Sequence, residues 1–558
     1  MSGDDNFIQR EVKVYLSKND FVGAIELIKG EINNIDNSPE MLFLLGSLHA
    51  KVNDTNEAMK CFKKVAYLTP GNLKNKFLLA KIYMEVKQQA EAIALFNDLL
   101  RFADYKAVSL LNLGHIFREL KEFEKSNHFF ILYLDLHPSS EDVLYIIGNN
   151  LTKISLYERA VNYFNKALQL GYESFQIYND LGFCLWKLGE LQISIYYLEK
   201  AKYLNQESSL ILNNLANVLS DRGQYNEAIE CFKSAITISA EDHLAKYNLS
   251  LVQLANKDFV EGWKNYEARW QALESIGTPF NTSKNLWKGE SGLRLIIWPE
   301  QGIGDTVMFA SLLPILSSKC ENLTVMVEKR LLNIFRASFS TDFKLCCRTE
   351  NLSESCYDAH LPMGSIAHVL NKAFNYSDFN PKPYLKPPKK EFKPLNEHPF
   401  ASTASKFIGI SWRTTASVKG ARDRNFDLYE LVINLKSEDV VFVCLQYGDV
   451  EQEIEDVVAL TGAKIIHFKD IDFLLDLDAF AFLLSSCHQV VTIDNSTVHF
   501  AGAIGVETLL LLPYASNWRW GISDEKSYWY SSVKIVRQSE VGNWSSVIEH
   551  IRANIFLS

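Results

Sequence analysis

Apolar and polar positions follow two different periods along this chain of 558 residues. From about residue 5 to about residue 270, small and large apolar residues recur at helical spacing in a frame repeated every 34 residues. Small residues stand at Ala24, Ala58, Ala92, Ser126, Ala160, Ser194, Ala228 and Gly262. Four positions after each come Ile28, Phe62, Phe96, Phe130, Phe164, Leu198, Phe232 and Tyr266. A second small series runs through Gly46, Ala80, Gly114, Gly148, Gly182 and Ala216, and Pro70 and Pro138 mark turns at one shared phase. Two antiparallel helices per repeat satisfy this frame: the small residues let the helices approach, and the large one fills the space between neighbours.

That length and pattern are those of tetratricopeptide repeats, which predicts an α-helical solenoid over residues 1–270, with 271–290 as a connector. Such arrays hold peptides in a concave groove lined by the first helix of each repeat. At that phase the chain carries Asn112, Asn149, Asp180, Asn214, Asn217 and Asn248. An amide donates and accepts at once, so a row of asparagines reads an extended backbone. The row resembles the asparagine ladder of protein O-GlcNAc transferase, with Leu44, Leu78 and Ile146 interrupting it. An acceptor protein is therefore expected in the groove, and homo-oligomers through the repeats are the other use of such a surface. Trp263, Tyr266 and Trp270 close the periodic region and are expected to pack the last repeat against the adjoining α/β region.

Beyond residue 290 the helical period gives way to short apolar runs ended by polar or glycine turns. Leu293–Trp298 reads as a strand, Pro299 to Asp305 as a turn, Val307–Leu316 as a helix and LTVMVE as the next strand. Phe407–Trp412, Val440–Gln446, KIIHF and Val490–Ile493 repeat the theme, and DIDFLLDLDAFAFLLSSC reads as one helix. The Pro- and Lys-rich stretch from Asn380 to Phe400 reads as an extended, solvated linker. Two Rossmann-like α/β lobes, 291–395 and 396–558, with a cleft between them are predicted. Each offers a turn at the C-terminal edge of its sheet, where open α/β folds bind ligands. The first holds Gly302, Gly304 and Asp305; the second holds Asp494, Asn495, Ser496 and Thr497, with His499 in the helix after it. Unpaired N–H groups and the helix dipole make the second turn an anion seat. The same residues also serve an ordinary capped helix, with Asn495 or Ser496 as the cap.

Charge and cysteine usage narrow the function. A net charge of -10 argues against general nucleic-acid binding, which needs a cationic surface. Nine scattered cysteines with no CxxC, two of them adjacent at Cys346-Cys347, fit reduced thiols in a cytoplasmic protein. The opening MSGDDNFIQR has no apolar signal core, and no run reaches membrane-spanning length. Asp476 and Asp478 fall inside an expected helix, so no Asp-x-Asp element calls for a metal.

The stretches QGIGDTVMFASLLPIL, CLQYGD and DNSTVHFAGAIG, in that order, resemble the heptosyltransferase-type glycosyltransferases of family nine. The closer resemblance is to members carrying tetratricopeptide repeats ahead of that domain, flagellin-modifying enzymes among them. The resemblance implies a GT-B fold and inverting, metal-independent transfer from a nucleotide-activated sugar, with no cofactor. It implies Asp305 as catalytic base, with Gly302 and Gly304 around it. It also implies a donor site of Arg413, Arg424, Gln446, Asp494, Asn495, Ser496, Thr497, His499 and Gly502. Asn495 and Thr497 stand where that family usually has Thr and Val. The run NWRWGISDEKSYWY is typical of its repeat-bearing members. The expected activity is sugar transfer to Ser or Thr hydroxyls of a protein, flagellin first. Transfer to a glycolipid or surface polysaccharide, or a non-catalytic scaffold, are the alternatives. ADP-heptose, UDP-N-acetylhexosamine and CMP-nonulosonic acid all suit such an anion seat.

Overall fold

The computed structural model describes residues 11–31, 38–273, 276, 279–339, 343–370, 379, 381–388, 395–403, 406–414 and 424–555. The chain packs as two units, Met1–Asn205 and Gln206–Ser558. The sequence period runs on to about 270, so the last repeats belong by packing to the second unit.

The first unit is built from helix pairs such as Ala103–Glu119 with Phe123–Leu134 and Glu141–Lys153 with Tyr157–Gln169. Within each pair the glycine of the first helix lies against the large residue of the second. A Cβ on Gly114 or Gly148 would fall 2.5 Å from Cε1 of Phe130 or Phe164 respectively, and one on Gly182 would fall 2.7 Å from Cγ of Leu198. That approach is why the frame needs small residues at this phase. Asn53, Lys87, Lys121 and Ser155 adopt φ of 59–61° in the tight turns between paired helices, where Gly189 takes over in the next repeat. Non-glycine residues tolerate that region at a cost of about 1–2 kcal/mol each, so the repeat packing fixes these turns.

In the second unit the helix pairs Ser209–Asp221 with Tyr225–Ile238 and His243–Ala255 with Phe259–Tyr266 precede two parallel sheets. The first sheet contains β1 (Asn285–Leu286), β2 (Arg294–Trp298), β3 (Asn322–Val327), β4 (Lys344–Cys347) and β5 (Ala359–Pro362) in the order β1-β5-β2-β3-β4. The second contains β6 (Lys406–Ser411), β7 (Val440–Cys444), β8 (Ile465–Ile466), β9 (Gln489–Ile493), β10 (Glu507–Leu512) and β11 (Val533–Arg537) in the order β11-β10-β9-β6-β7-β8. The strand pairings of both sheets are parallel. Parallel sheets are covered on both faces, which explains the unbroken apolar runs of β7 and β10. Trp263 is fully buried against Phe309, Trp518 and Trp529, and Trp270 packs on Trp298, as their place at the end of the repeats suggested.

Three elements depart from the sequence reading. The helix expected over Val307–Leu316 begins at Ile303 and breaks after Ala310, because Pro314 has no N–H to offer the Ala310 carbonyl. The helix expected across DIDFLLDLDAFAFLLSSC spans only Leu477–Ser485, since the Asp476 carboxylate caps it by accepting from the Ala479 N–H at 2.9 Å. The stretch read as a solvated linker is docked in its first half. Both Tyr384 and Leu385 donate backbone N–H bonds to the Ala503 carbonyl, and Leu385 is buried. Residues 380 and 389–394 of that stretch lie outside the described residues.

Candidate active site

Two helix starts meet in the second unit. Helix α1 (Ile303–Ala310) follows β2 and helix α2 (Ser496–Ile504) follows β9. Their first turns touch: a Cβ on Gly304 would lie 2.8 Å from Cδ2 of His499. Gly304 is thus required by close approach, its φ being ordinary. Asp305, next in the chain, forms an ion pair with Arg519, whose guanidinium lies 4.7 Å from the Trp518 ring centroid. Burial works against the charge of Arg519. Asp305, Tyr266 and Asp494 together outweigh it, so the guanidinium stays firmly protonated.

Around the second turn, several expected donor-binding groups are already engaged. Asp494 accepts from Arg424 Nη1 at 2.9 Å and from Trp520 Nε1 at 2.8 Å. Its two oxygens therefore anchor Arg424 and the indole rather than facing a phosphate, which a carboxylate repels. Asn495 is the helix cap, accepting from the Thr497 N–H at 3.0 Å while donating to Ser411 Oγ at 2.8 Å. Gln446 Oε1 accepts from Ser411 Oγ and from the N–H groups of Trp412 and Arg413, so it holds the end of β6. Arg413 is tied to the Asp449 carbonyl and to Glu453, which leaves Arg424 as the cation nearer the turn. Gly502 makes room for Tyr530, whose Cγ would stand 2.3 Å from an added Cβ; its role is packing. Gly302 caps α1 in extended conformation. Ser496 is half-buried at the start of α2, and Thr497 is fully buried with no partner for its hydroxyl among the described residues.

His499 is buried against Tyr530 and Trp520. Its Nδ1 lies 2.9 Å from Tyr530 Oη, and its ring stacks on Trp520 with centroids 5.4 Å apart. Burial, then the charge of Arg519, pull the His499 pKa down to about 4, so the ring is neutral at pH 7. A neutral ring brings no positive charge to a phosphate. Tyr384 Oη donates to the Val307 carbonyl at 2.8 Å. Nitrogen NMR of ¹⁵N-histidine-labelled chain is expected to show His499 neutral down to pH 5, and a doubly protonated ring at pH 6 would contradict it.

Asn149 and Asp180 of the groove candidates bind each other. In the first unit Arg118 Nη2 donates to Asn149 Oδ1 at 3.1 Å, and Asn149 Nδ2 and Tyr145 Oη both donate to Asp180 Oδ2 at 3.0 Å. Asn112 Nδ2 turns to its own helix at Val108, 2.6 Å away. In the second unit Asn217 bonds the Asn213 carbonyl at 2.8 Å, and Asn248 donates to Asn213 Oδ1 at 3.1 Å; Asn214 is buried. The Asn149–Asp180 and Asn248–Asn213 bonds link neighbouring repeats, while Asn112 and Asn217 turn to their own helices, so these four amides are already engaged.

Arg519, Trp520, Tyr530 and Tyr384 were not singled out as site residues by sequence. The first three lie in or beside NWRWGISDEKSYWY, a run dense in residues that rarely share an exposed loop, and that density is the signal pointing to them. Tyr384, inside a proline-rich stretch, carries no such signal. Among the described residues no cluster of His, Cys, Asp and Glu is placed to hold a metal, and no helix is long and apolar enough to cross a membrane.

A tetratricopeptide-type helical solenoid followed by parallel-sheet α/β lobes is the class these elements define. Family descriptions match locally: tetratricopeptide repeat over residues 173–241, and ChAPs (Chs5p-Arf1p-binding proteins) over residues 9–107. Protein FlbA of Caulobacter vibrioides (strain ATCC 19089 / CIP 103742 / CB 15) is 29% identical over 318 residues, covering 52% of this chain and 51% of FlbA. The chain thus spans about half the length of that curated relative. Among solved structures, YrrB, described as a TPR protein with an unusual peptide-binding site, is 21% identical over 32% of this chain and 91% of its own, with a TM-score of 0.28. MamA is 22% identical over 29% and 94%, with a TM-score of 0.27. A tetratricopeptide repeat protein from Parabacteroides merdae ATCC 43184 is 16% identical over 44% and 98%, with a TM-score of 0.31.

Proposed function

We propose that the chain is a protein glycosyltransferase of GT-B type. The repeats hold an acceptor protein, and the two lobes move a sugar from a nucleotide donor to a Ser or Thr hydroxyl. The observation that carries this reading is the meeting of α1 and α2, which sets Asp305, Arg519 and the start of a helix at one place. Transfer needs a base beside the hydroxyl and fixed positive charge where the phosphate leaves. Asp305 is the base of this proposal; Arg519 and the N–H groups of α2 receive the leaving phosphate, with Ser496 and Thr497 as hydroxyl donors. As the acceptor oxygen bonds to the anomeric carbon, its proton passes to Asp305 and the bond to phosphate breaks, leaving the nucleotide with the electron pair. Flagellin is the acceptor suggested by the family resemblance.

Incubating the chain with a panel of nucleotide sugars and candidate acceptor proteins, read by intact-protein mass spectrometry, tests this. A mass increment of one sugar on Ser or Thr is expected. Binding of no nucleotide sugar by calorimetry would instead make the chain a scaffold, and transfer to glycolipid alone would reassign the acceptor.

A further inference from the structure

Resting on that reading of the site, we infer that the Asp305–Arg519 pair is an exchangeable latch: Arg519 is a phosphate-binding residue for the donor, and Asp305 occupies it until phosphate takes over. The guanidinium is only partly used. Its Nη1 donates to Asn517 Oδ1 at 2.7 Å and its Nη2 to Asp305 Oδ1, while the buried Nε has no partner among the described residues. The Nε–Nη2 edge of arginine is a two-pronged donor suited to two oxygens of one phosphate or carboxylate. Asp305 meets that edge with a single oxygen. A phosphate meets it with two and also satisfies the orphaned N–H, whose burial without a partner is costly.

The cation keeps its place when the carboxylate leaves, because rigid aromatics hold it. Trp518 lies under the guanidinium and is itself fixed by Trp263 at 5.4 Å and 90° and by Tyr266 at 5.9 Å. Asp305, Tyr266 and Asp494 are the ionisable groups that favour the charge of Arg519. Asp494 is already matched by Arg424, so Asp305 is the anion with least to lose by leaving. A buried cation without a counter-charge is strongly unfavourable, so phosphate must arrive as the carboxylate departs. Donor loading and release of the base become one event, which gives an ordered reaction with donor before acceptor.

The test is calorimetric titration of the full chain with inorganic pyrophosphate, without any sugar. Asp305→Asn, which keeps shape and removes the competing charge, is expected to bind pyrophosphate about tenfold more tightly than the unaltered chain, equivalent to about 1.4 kcal/mol. Arg519→Gln is expected to lose binding, with thermal melting recorded to show that it folds. Asp305→Asn binding no more tightly than the unaltered chain overturns the latch, as does absence of binding in both. Because no sugar is transferred, the readings separate. Tightened pyrophosphate binding with no turnover of any nucleotide sugar would sink the transferase proposal and leave the exchange standing.

Discussion

Asp305→Ala is expected to lower sugar transfer by about 10²- to 10⁴-fold, the range over which a positioned general base contributes. The loss falls on kcat, since the proton is transferred only as the bond forms. Removing the carboxylate also frees Arg519 for phosphate, so the KM for donor is expected to fall while kcat collapses. A residue serving only to hold the lobes together would instead raise KM or lower thermal stability. Acceptor-protein binding is expected to survive. Steady-state kinetics on the identified donor, with a pull-down of acceptor, reads all of these; unchanged turnover would remove Asp305 from the chemistry.

Glu300→Ala is expected to destabilise the unit Gln206–Ser558 by about 3–5 kcal/mol, the cost of breaking a buried ion pair from one side. Arg269, just after the last repeat helix, is fully buried and donates to Glu300 Oε1 at 3.1 Å and to Ser365 Oγ at 2.8 Å. Glu300 also accepts from the Gly364 N–H at 3.0 Å. Burial pushes the Glu300 carboxyl upward against the pull of Arg269, so this charge persists only while its partner is present. Glu267 still pairs with Arg269 at 2.7 Å and keeps the loss toward the lower end of that range. Replacing both partners together, Glu300→Leu with Arg269→Met, is expected to recover most of the stability. Urea denaturation followed by tryptophan fluorescence measures it. A loss under about 1 kcal/mol for Glu300→Ala would mean that solvent reaches the arginine.

The repeat frame was legible because each repeat solves the same local problem. Gly114 against Phe130 and Gly148 against Phe164 are near neighbours in sequence, so the spacing alone announces the contact. β2, β3, β6, β7 and β9 were legible as apolar runs and KIIHF shrank to the pair Ile465–Ile466, whereas β1, β4, β5 and β11 were not read from the sequence. Asn495 as cap, Asp305 in the first turn of its helix and the buried aromatics after the repeats followed from local chemistry too. Gln446, Gly502 and Arg413 were expected at the donor. Their occupation by Ser411, Tyr530 and Glu453 depends on residues distant in the chain, which no local pattern reports.

By itself the sequence determined the helical period, the change to parallel strands after residue 290, and which turns stand at the ends of β2 and β9. These are set by residues within a few turns of one another. Only the tertiary structure decided that Asp305 faces Arg519, 214 residues away, and that His499 meets Tyr530 and is kept neutral by its burial beside Arg519. It also decided that Asn149 and Asn248 spend their amides on side chains of neighbouring repeats. The physical reason is common to all three: a charge or a proton is assigned by whichever partner packing brings within about 3 Å, and that partner is not encoded in the neighbourhood of either residue.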